Sequence, residues 1–223
     1  MLGQAWIIAA KDLRLEFRSR TAFVSSLVFT LLVLATFNFA RDPSVLSGTD
    51  LAPGILWITF SFAGLLGLNR AFALERENRT IDALLLAPVD RSALYLGKAI
   101  ANLVFVGTVE AVALPFFALF FNVPLLPVLG RLLAVVALAT FGFVAVGTLL
   151  SAIAVNTRFA ELMLPVLMLP FLVTPITGAV QLTARIFAAR PLGELTAWLR
   201  LLVGYDVVVV VAALLVFEYT LDE

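Results

Sequence analysis

Glu110 is the only charged residue in the run "ANLVFVGTVEAVALPFFALFF", and it lies twelve residues beyond Lys98. That offset is ~18 Å of helix, which puts a carboxyl group near the middle of a bilayer if the run crosses one. A carboxylate at that depth costs about 3 kcal/mol unless it is protonated or paired. Two roles fit it: a protonated acid bonding a neighbouring helix, or a functional acid on a proton or substrate path. A second unusual run is "LMLPVLMLPFLVTPITGAV", with Pro165, Pro170 and Pro175. Each proline deletes a backbone donor and crowds the preceding turn, which predicts a bent or broken helix. Steps of five residues turn ~140° on an ideal helix, so the prolines do not share a face. Interrupted helices line pathways in transporters, and a tolerated kink fits equally well.

Other chemistries are excluded. The chain has no Cys and no His. Disulfides, thiol catalysis, zinc sites, His-ligated haem and His-based acid–base catalysis therefore drop out. The phosphate-binding pattern G-x-x-x-x-G-K-[ST] is missing: Ala99 follows Gly97–Lys98, and Ser92 stands where the first Gly belongs. No ATP hydrolysis and no covalent catalysis are expected. Any cofactor is expected on a partner rather than bound directly.

The elements that position these residues are set by hydropathy. Hydrophobic residues make up 62% of 223 residues and mean hydropathy is +1.08. A soluble domain is about half apolar, so lipid is the expected solvent for most of this chain. Net charge is zero, so no field draws nucleic acid, and none is expected as a partner. Six apolar runs stand out, at Ala22–Ala40, Ala52–Leu68, Ala99–Phe121, Leu132–Val155, Leu162–Val180 and Leu201–Phe217. Backbone polar groups in lipid must be satisfied internally, and no run alternates like a barrel strand, so six transmembrane helices are predicted. The fold class is an all-α integral membrane protein of one domain spanning residues 1–223.

The flanks refine this. Residues 1–20 do not follow the pattern of a cleavable signal. Leu2, Trp6, Ala9, Leu13 and Phe17 recur at helical spacing, with Lys11, Arg14 and Arg18 on another side. This reads as an interfacial amphipathic helix or as a polar extension of the first span. Ten Lys and Arg flank one side of the predicted spans and five the other. The richer side is expected to be cytoplasmic, with both termini inside. Residues 181–200 then form an outer segment, in which "RPLGELTAWLR" is expected to make a short surface helix.

Residues 69–98 form the longest expected cytoplasmic segment. Leu68–Arg91 packs eight charges into twenty-four residues. Asn78 or Thr80 can cap a new helix, and Asp82 falls in its first turn, where the helix dipole favours an anion. Leu84, Leu85 and Leu86 follow, and Pro88 prevents continuation. A helix under two turns long is not stable alone. It needs a surface, either its own membrane domain or a groove on a cytoplasmic partner.

Here a family resemblance enters. "ERENRTIDALLLAPVDRSALYLGK" resembles the coupling segment of ABC-2-type permeases. "LWITFSFAGLLGLNRAFALERENRTIDALLLAPVDRSALYLGKAIANLVFVG", the triple-proline span and "WLRLLVGYDVVVVVAALLVFEYTLDE" are similar to the CcmB family, the haem exporter B permeases of cytochrome c maturation, over nearly the whole chain. One departure is Arg79, where a Gly often precedes the Thr. The resemblance implies a permease subunit in the bacterial cytoplasmic membrane, hydrolysing no ATP itself and paired with a second copy. It would dock on a CcmA-type ATPase that hydrolyses the ATP, beside CcmC, CcmD and the haem chaperone CcmE. Haem would be either the transported species or a species handed over when the chaperone is released. Met163, Met168 and Tyr205 remain as weak candidate haem ligands.

In that setting Thr80–Leu86 would be the coupling helix. Leu84, Leu85 and Leu86 would anchor it, with Glu75, Glu77, Arg79 and Asp82 as rim and Pro88 as stop. Glu110, Pro165, Pro170 and Pro175 are the intramembrane candidates. Three rivals share parts of this pattern. They are a generic ABC-2 exporter of lipid, drug or polysaccharide, a secondary transporter with Glu110 as proton carrier, and a non-transporting assembly scaffold.

Overall fold

The computed structural model describes residues 1–41, 48–69, 89–154 and 160–220. Among them are seven helices and no strand: α1 (Leu2–Ser19), α2 (Thr21–Ala40), α3 (Gly48–Leu68), α4 (Arg91–Phe121), α5 (Leu129–Ala154), α6 (Ala160–Phe187) and α7 (Leu192–Thr220). The last six are long and apolar enough to cross a membrane, as the hydropathy requires. The coupling segment, with Glu75, Glu77, Arg79, Thr80, Asp82, Leu84, Leu85, Leu86 and Pro88, lies outside the described residues.

Helix α1 is amphipathic in three directions rather than two. Ala5 and Ala9 are buried against α4, while Leu2 and Trp6 are exposed on one side and Lys11, Arg14 and Arg18 on another. Close approach to α4 depends on Gly97: a Cβ there would sit 2.7 Å from Cβ of Ile8 and 2.8 Å from the Ala5 carbonyl oxygen. The elbow into α2 is a single residue, Arg20, in the left-handed region at φ 55°. Its N–H still bonds the Glu16 carbonyl, which ends α1 cleanly.

Helices α3 and α5 are the innermost spans, and α2 and α7 are the most peripheral. Helix α5 packs against α3, α4, α6 and α7. Its composition makes this possible: the stretch Ala139–Ala154 is dominated by small residues, so neighbouring backbones can approach closely. Two apolar clusters fill the interior. One gathers Trp57, Phe60, Phe117, Phe121, Leu132 and Leu202 toward one end, and the other gathers Leu68, Phe105, Phe143 and Met168 toward the opposite end.

Several helices run past their apolar windows. Helix α4 begins at Arg91, not near Ala99, and α7 begins at Leu192, not near Leu201. The expected short surface helix in 190–200 is therefore the first part of α7, and residues 181–187 are the end of α6. The physical reason is that hydrocarbon thickness limits the apolar window, while the backbone hydrogen-bond ladder continues into the interface wherever side chains can reach water. Helix α6 is also unbroken, although it contains Pro165, Pro170 and Pro175. Pro175 leaves the Phe171 carbonyl without its usual donor four residues on. The Tyr205 hydroxyl of α7 donates to that carbonyl at 2.8 Å, so a neighbouring helix meets the need that the proline creates.

Candidate functional site

Helices α4 and α5 run antiparallel and are joined by a ladder of polar contacts. The Asn102 side-chain amide donates to the Thr148 hydroxyl at 3.0 Å. The Thr140 hydroxyl donates toward Oε1 and Oε2 of Glu110 at 2.8 and 2.9 Å. Both pairs obey one antiparallel register. Nearer one end, the Tyr95 hydroxyl donates to the Ala145 carbonyl at 3.0 Å. Glu110, for which the sequence named no partner, is thus held by Thr140 on the neighbouring span. It is only 3% exposed.

Behind Glu110 lies a small cavity of about 20 Å³, lined by Trp57, Ser61, Glu110, Thr140 and Pro175 among others. That space suits one water molecule, and Glu110, Ser61 and Thr140 could all bond to it. On the other side, Glu110 and Thr140 form the polar floor of a wider groove between α4 and α5. Glu110 and Thr140 therefore line both the small cavity and the groove.

The structure brings Glu110 and Pro175 to one cavity. Pro165 is half-buried and Pro170 is exposed, as their rotation around the helix requires. Met168 is fully buried beside Gly147, and Met163 is on the surface of α6. Tyr205 already uses its hydroxyl on Phe171.

Three functional-looking features escaped sequence reasoning. Asp206, in α7, is 5% exposed, and neither carboxyl oxygen has a hydrogen-bond partner among the described residues. It faces Gly142 of α5, where a Cβ would collide with its Oδ1. Gly142 is two residues from Thr140, or ~3 Å along the helix and ~200° around it. Helix α5 is therefore flanked by Glu110 of α4 and Asp206 of α7, on opposite sides at nearly one depth. The signal was legible as an Asp inside "LLVGYDVVVVV". The second feature is Lys98, which is 2% exposed and places Nζ 3.2 Å from Oδ2 of Asp12 in α1. The third is the Trp57 indole N–H, which donates to the Thr183 hydroxyl at 2.9 Å and joins α3 to α6.

The flanks of the coupling segment are well defined. At the end of α3, the Leu68 carbonyl accepts from the Ser151 hydroxyl of α5 at 3.1 Å. At the start of α4, Asp90 caps the helix with its backbone, and the N-terminal ammonium of Met1 is 3.8 Å from its carboxylate. Both groups of that pair are exposed, so it contributes little.

Comparison with known proteins places the chain. The family model "CcmB protein" matches residues 4–222. A "Heme exporter protein B" of Rhodobacter capsulatus is 32% identical over 178 residues, covering 80% of this chain and 81% of the relative. The protein of the same description from Paracoccus denitrificans is 33% identical over 186 residues, covering 83% and 85%. That from Pseudomonas aeruginosa is 31% identical over 182 residues, covering 78% and 79%.

Proposed function

The chain belongs to the CcmB family, and from that premise we propose that it is the permease subunit of an ABC-type complex serving haem export in c-type cytochrome biogenesis. The observation that carries this reading is the family match over residues 4–222, on a chain whose six longest apolar helices suit a membrane. In the proposed complex a separate CcmA-type ATPase hydrolyses ATP, and this chain converts that cycle into helix movement. A second copy, CcmC, CcmD and the chaperone CcmE complete the assembly. The cycle drives either passage of haem or release of the haem-loaded chaperone.

The proposed orientation puts the Lys- and Arg-rich end, with α1 and the start of α4, in the bacterial cytoplasm. Both termini then lie on the cytoplasmic side of the inner membrane. Residues Thr80–Leu86 act as the coupling helix, with Leu84, Leu85 and Leu86 in a groove of the ATPase and Glu75, Glu77, Arg79 and Asp82 around it. What supports this assignment is the segment's position between α3 and α4, two spans whose ends are tied to different neighbours.

The test is affinity purification of this chain from native membranes, with Leu85→Ala and Asp82→Arg. A buried interface anchor costs a few kcal/mol when truncated. Leu85→Ala should therefore reduce ATPase co-purification at least tenfold, with membrane levels of this chain unchanged. Asp82→Arg should reduce it too, because it reverses a rim charge and puts a cation at a helix N-terminus. Normal ATPase recovery with both variants would remove the coupling role. Cytochrome c maturation that persists without this chain would remove the haem assignment.

A further inference from the structure

Asp206 is the central residue of α7, fourteen positions from either end, and Gly142 is at the middle of α5. Fourteen residues are ~21 Å of helix, so the two spans meet at mid-membrane depth. The Asp206 side chain is 5% exposed, and neither oxygen has a hydrogen-bond partner among the described residues. Its Oδ1 takes the space that a Cβ on Gly142 would need. We propose that Asp206 is an intramembrane proton-binding site: with the proton bound α7 packs on α5, and with the proton lost α7 separates and water reaches the carboxylate. The proposal needs only a membrane-spanning bundle and rests neither on the cargo nor on partner subunits.

No charge offsets an ionised Asp206 in this packing. Helix α7 packs on α4, α5 and α6. The one charged residue of α5 is Arg131, eleven positions from Gly142, or ~16 Å of helix. Glu161 and Arg185 of α6 lie ten positions before and fourteen positions after Phe171, the residue that meets Tyr205. On α4, Tyr95 donates to Ala145, Lys98 meets Asp12, Glu110 is held by Thr140 across α5, and Arg91 begins the helix. On α7 itself, Glu194 and Arg200 are exposed toward the start, Glu218 and Tyr219 follow at least twelve positions on, and Tyr205 spends its hydroxyl on Phe171. An unpaired carboxylate at this depth is costly, whereas the neutral acid gains a donor. Gly142 leaves the α5 backbone uncovered beside it, where a main-chain carbonyl is available to that O–H. A metal ion would need more ligands, and among the described residues no three acidic side chains stand together.

The neighbouring residue gives the site its mechanical consequence. Tyr205 donates to the Phe171 carbonyl that Pro175 leaves without its usual partner. Separation of α7 from α5 therefore strains the contact of α7 with α6 as well. Proton loss at one carboxyl would loosen the outermost span from two neighbours at once.

The experiment has two arms, both on the full chain in its native membranes. In the first, dicyclohexylcarbodiimide probes for the bound proton. A protonated carboxyl gives its proton to a carbodiimide nitrogen while its oxygen bonds the central carbon, and an acyl shift leaves a stable N-acylurea. Peptide mass spectrometry should find this adduct on Asp206 at least tenfold above the level on the exposed Glu194. The second arm uses the absence of Cys from the chain. Ala213 is seven positions beyond Asp206, on the same side of α7, and is fully buried in a cluster with Leu149 and Ala152 of α5. The rate at which a water-soluble thiol reagent modifies Ala213→Cys therefore reports separation of α7 from α5. Each pH unit above the ordinary carboxylate range favours the separated, ionised form by up to tenfold. Comparison with the Asp206→Asn background, which is fixed neutral, cancels the thiol's own ionisation. The ratio of the two rates should rise at least tenfold from about pH 5.5 to about pH 8.5. Asp206→Leu is a second neutral background and Val209→Cys a second buried reporter, so one misfolded variant does not decide the result. A flat or falling ratio would overturn the proposal, and so would the absence of an adduct on Asp206. An adduct that forms only after extraction from the membrane would show an ionised Asp206 paired with a cation of another chain, and would overturn it too.

Discussion

Replacing Asp12 by Asn should release α1 from the bundle. Lys98 is 2% exposed, and Asp12 is a carboxylate beside it, at 3.2 Å. Asp12 also meets Lys11 at 3.0 Å and is 17% exposed. Removing one partner of a buried, hydrogen-bonded charge pair costs roughly 2–5 kcal/mol. Asn keeps an oxygen acceptor, and Asp12 sits at the edge of the bundle, so the low end applies, about 2 kcal/mol. At ~1.4 kcal/mol per tenfold, this raises the population with α1 detached roughly 30-fold.

Limited trypsin digestion reads this population directly, because Arg14 and Arg18 lie on α1. Cleavage there should accelerate by about that factor when detachment precedes cutting. Thermal unfolding of the six-span bundle should change less, because α1 contributes only Ala5 and Ala9 to the buried apolar set. The partner substitution is a control with a different expectation. Lys98→Met leaves Asp12 still paired with Lys11 and strands no buried cation. It should be milder than Asp12→Asn, and the double variant should recover part of the loss. Equal cleavage of wild type and Asp12→Asn, or a larger effect from Lys98→Met, would refute the reasoning.

Thr183→Val should cost about 1–3 kcal/mol in thermal unfolding, because the buried Trp57 N–H loses its acceptor, and adding Trp57→Phe should restore part of it. Asp206→Leu is close in shape to the native side chain and removes two buried oxygens that have no hydrogen-bond partner among the described residues, so it should stabilise the detergent-solubilised protein by about 1–3 kcal/mol. A lower melting temperature would mean that Asp206 has a partner in the membrane. Glu110→Gln should stay folded, because Gln retains an acceptor for Thr140, whereas Glu110→Lys should reduce membrane level by stranding a cation in the spans. Normal levels of Glu110→Lys would show that the site is not buried. In this Cys-free chain, Cys at Ser92 should react only with reagent on the cytoplasmic side and Cys at Thr196 only from outside, and the reverse pattern would invert the proposed orientation.

The six spans were legible because apolar length is a property of the sequence alone. Their ends were not, since α4 and α7 continue through polar turns that a hydropathy window rejects. Glu110 was legible as an intramembrane acid, but Thr140 was not legible as its partner. A Thr in a helix more often bonds its own backbone, as Thr30 and Thr59 do with the carbonyls four residues back. The prolines show the same limit. Their rotation around α6 follows from spacing, but the donor that meets the Phe171 carbonyl freed by Pro175 is Tyr205, a residue thirty-four positions from Phe171. Asp206 hid for a simpler reason: it stands only six residues after Arg200 in the sixth apolar run, and its depth shows only once α7 is seen to begin at Leu192.

The two ends of the coupling segment are anchored by interactions of unequal strength, and this bears on how a push would travel. The α3 end is tied to α5 by one hydroxyl, Ser151, which also bonds the Gly147 carbonyl of its own helix at 2.7 Å. Ser151 can give up Leu68 and keep Gly147, and interhelical hydrogen bonds of this kind contribute only about 0.6 kcal/mol in membranes. The α4 end is tied to α1 by a buried ion pair and by the close packing at Gly97, which are harder to exchange. On the proposed reading, force on residues 70–88 would move α1 and α4 as one body, while the contact between α3 and α5 slips. The joints between α4 and α5, at Asn102, Glu110 and Tyr95, are side-chain hydrogen bonds. These bonds are of the same exchangeable kind as the one from Ser151, so on the proposed reading α4 moves against α5 without giving up its packing on α1.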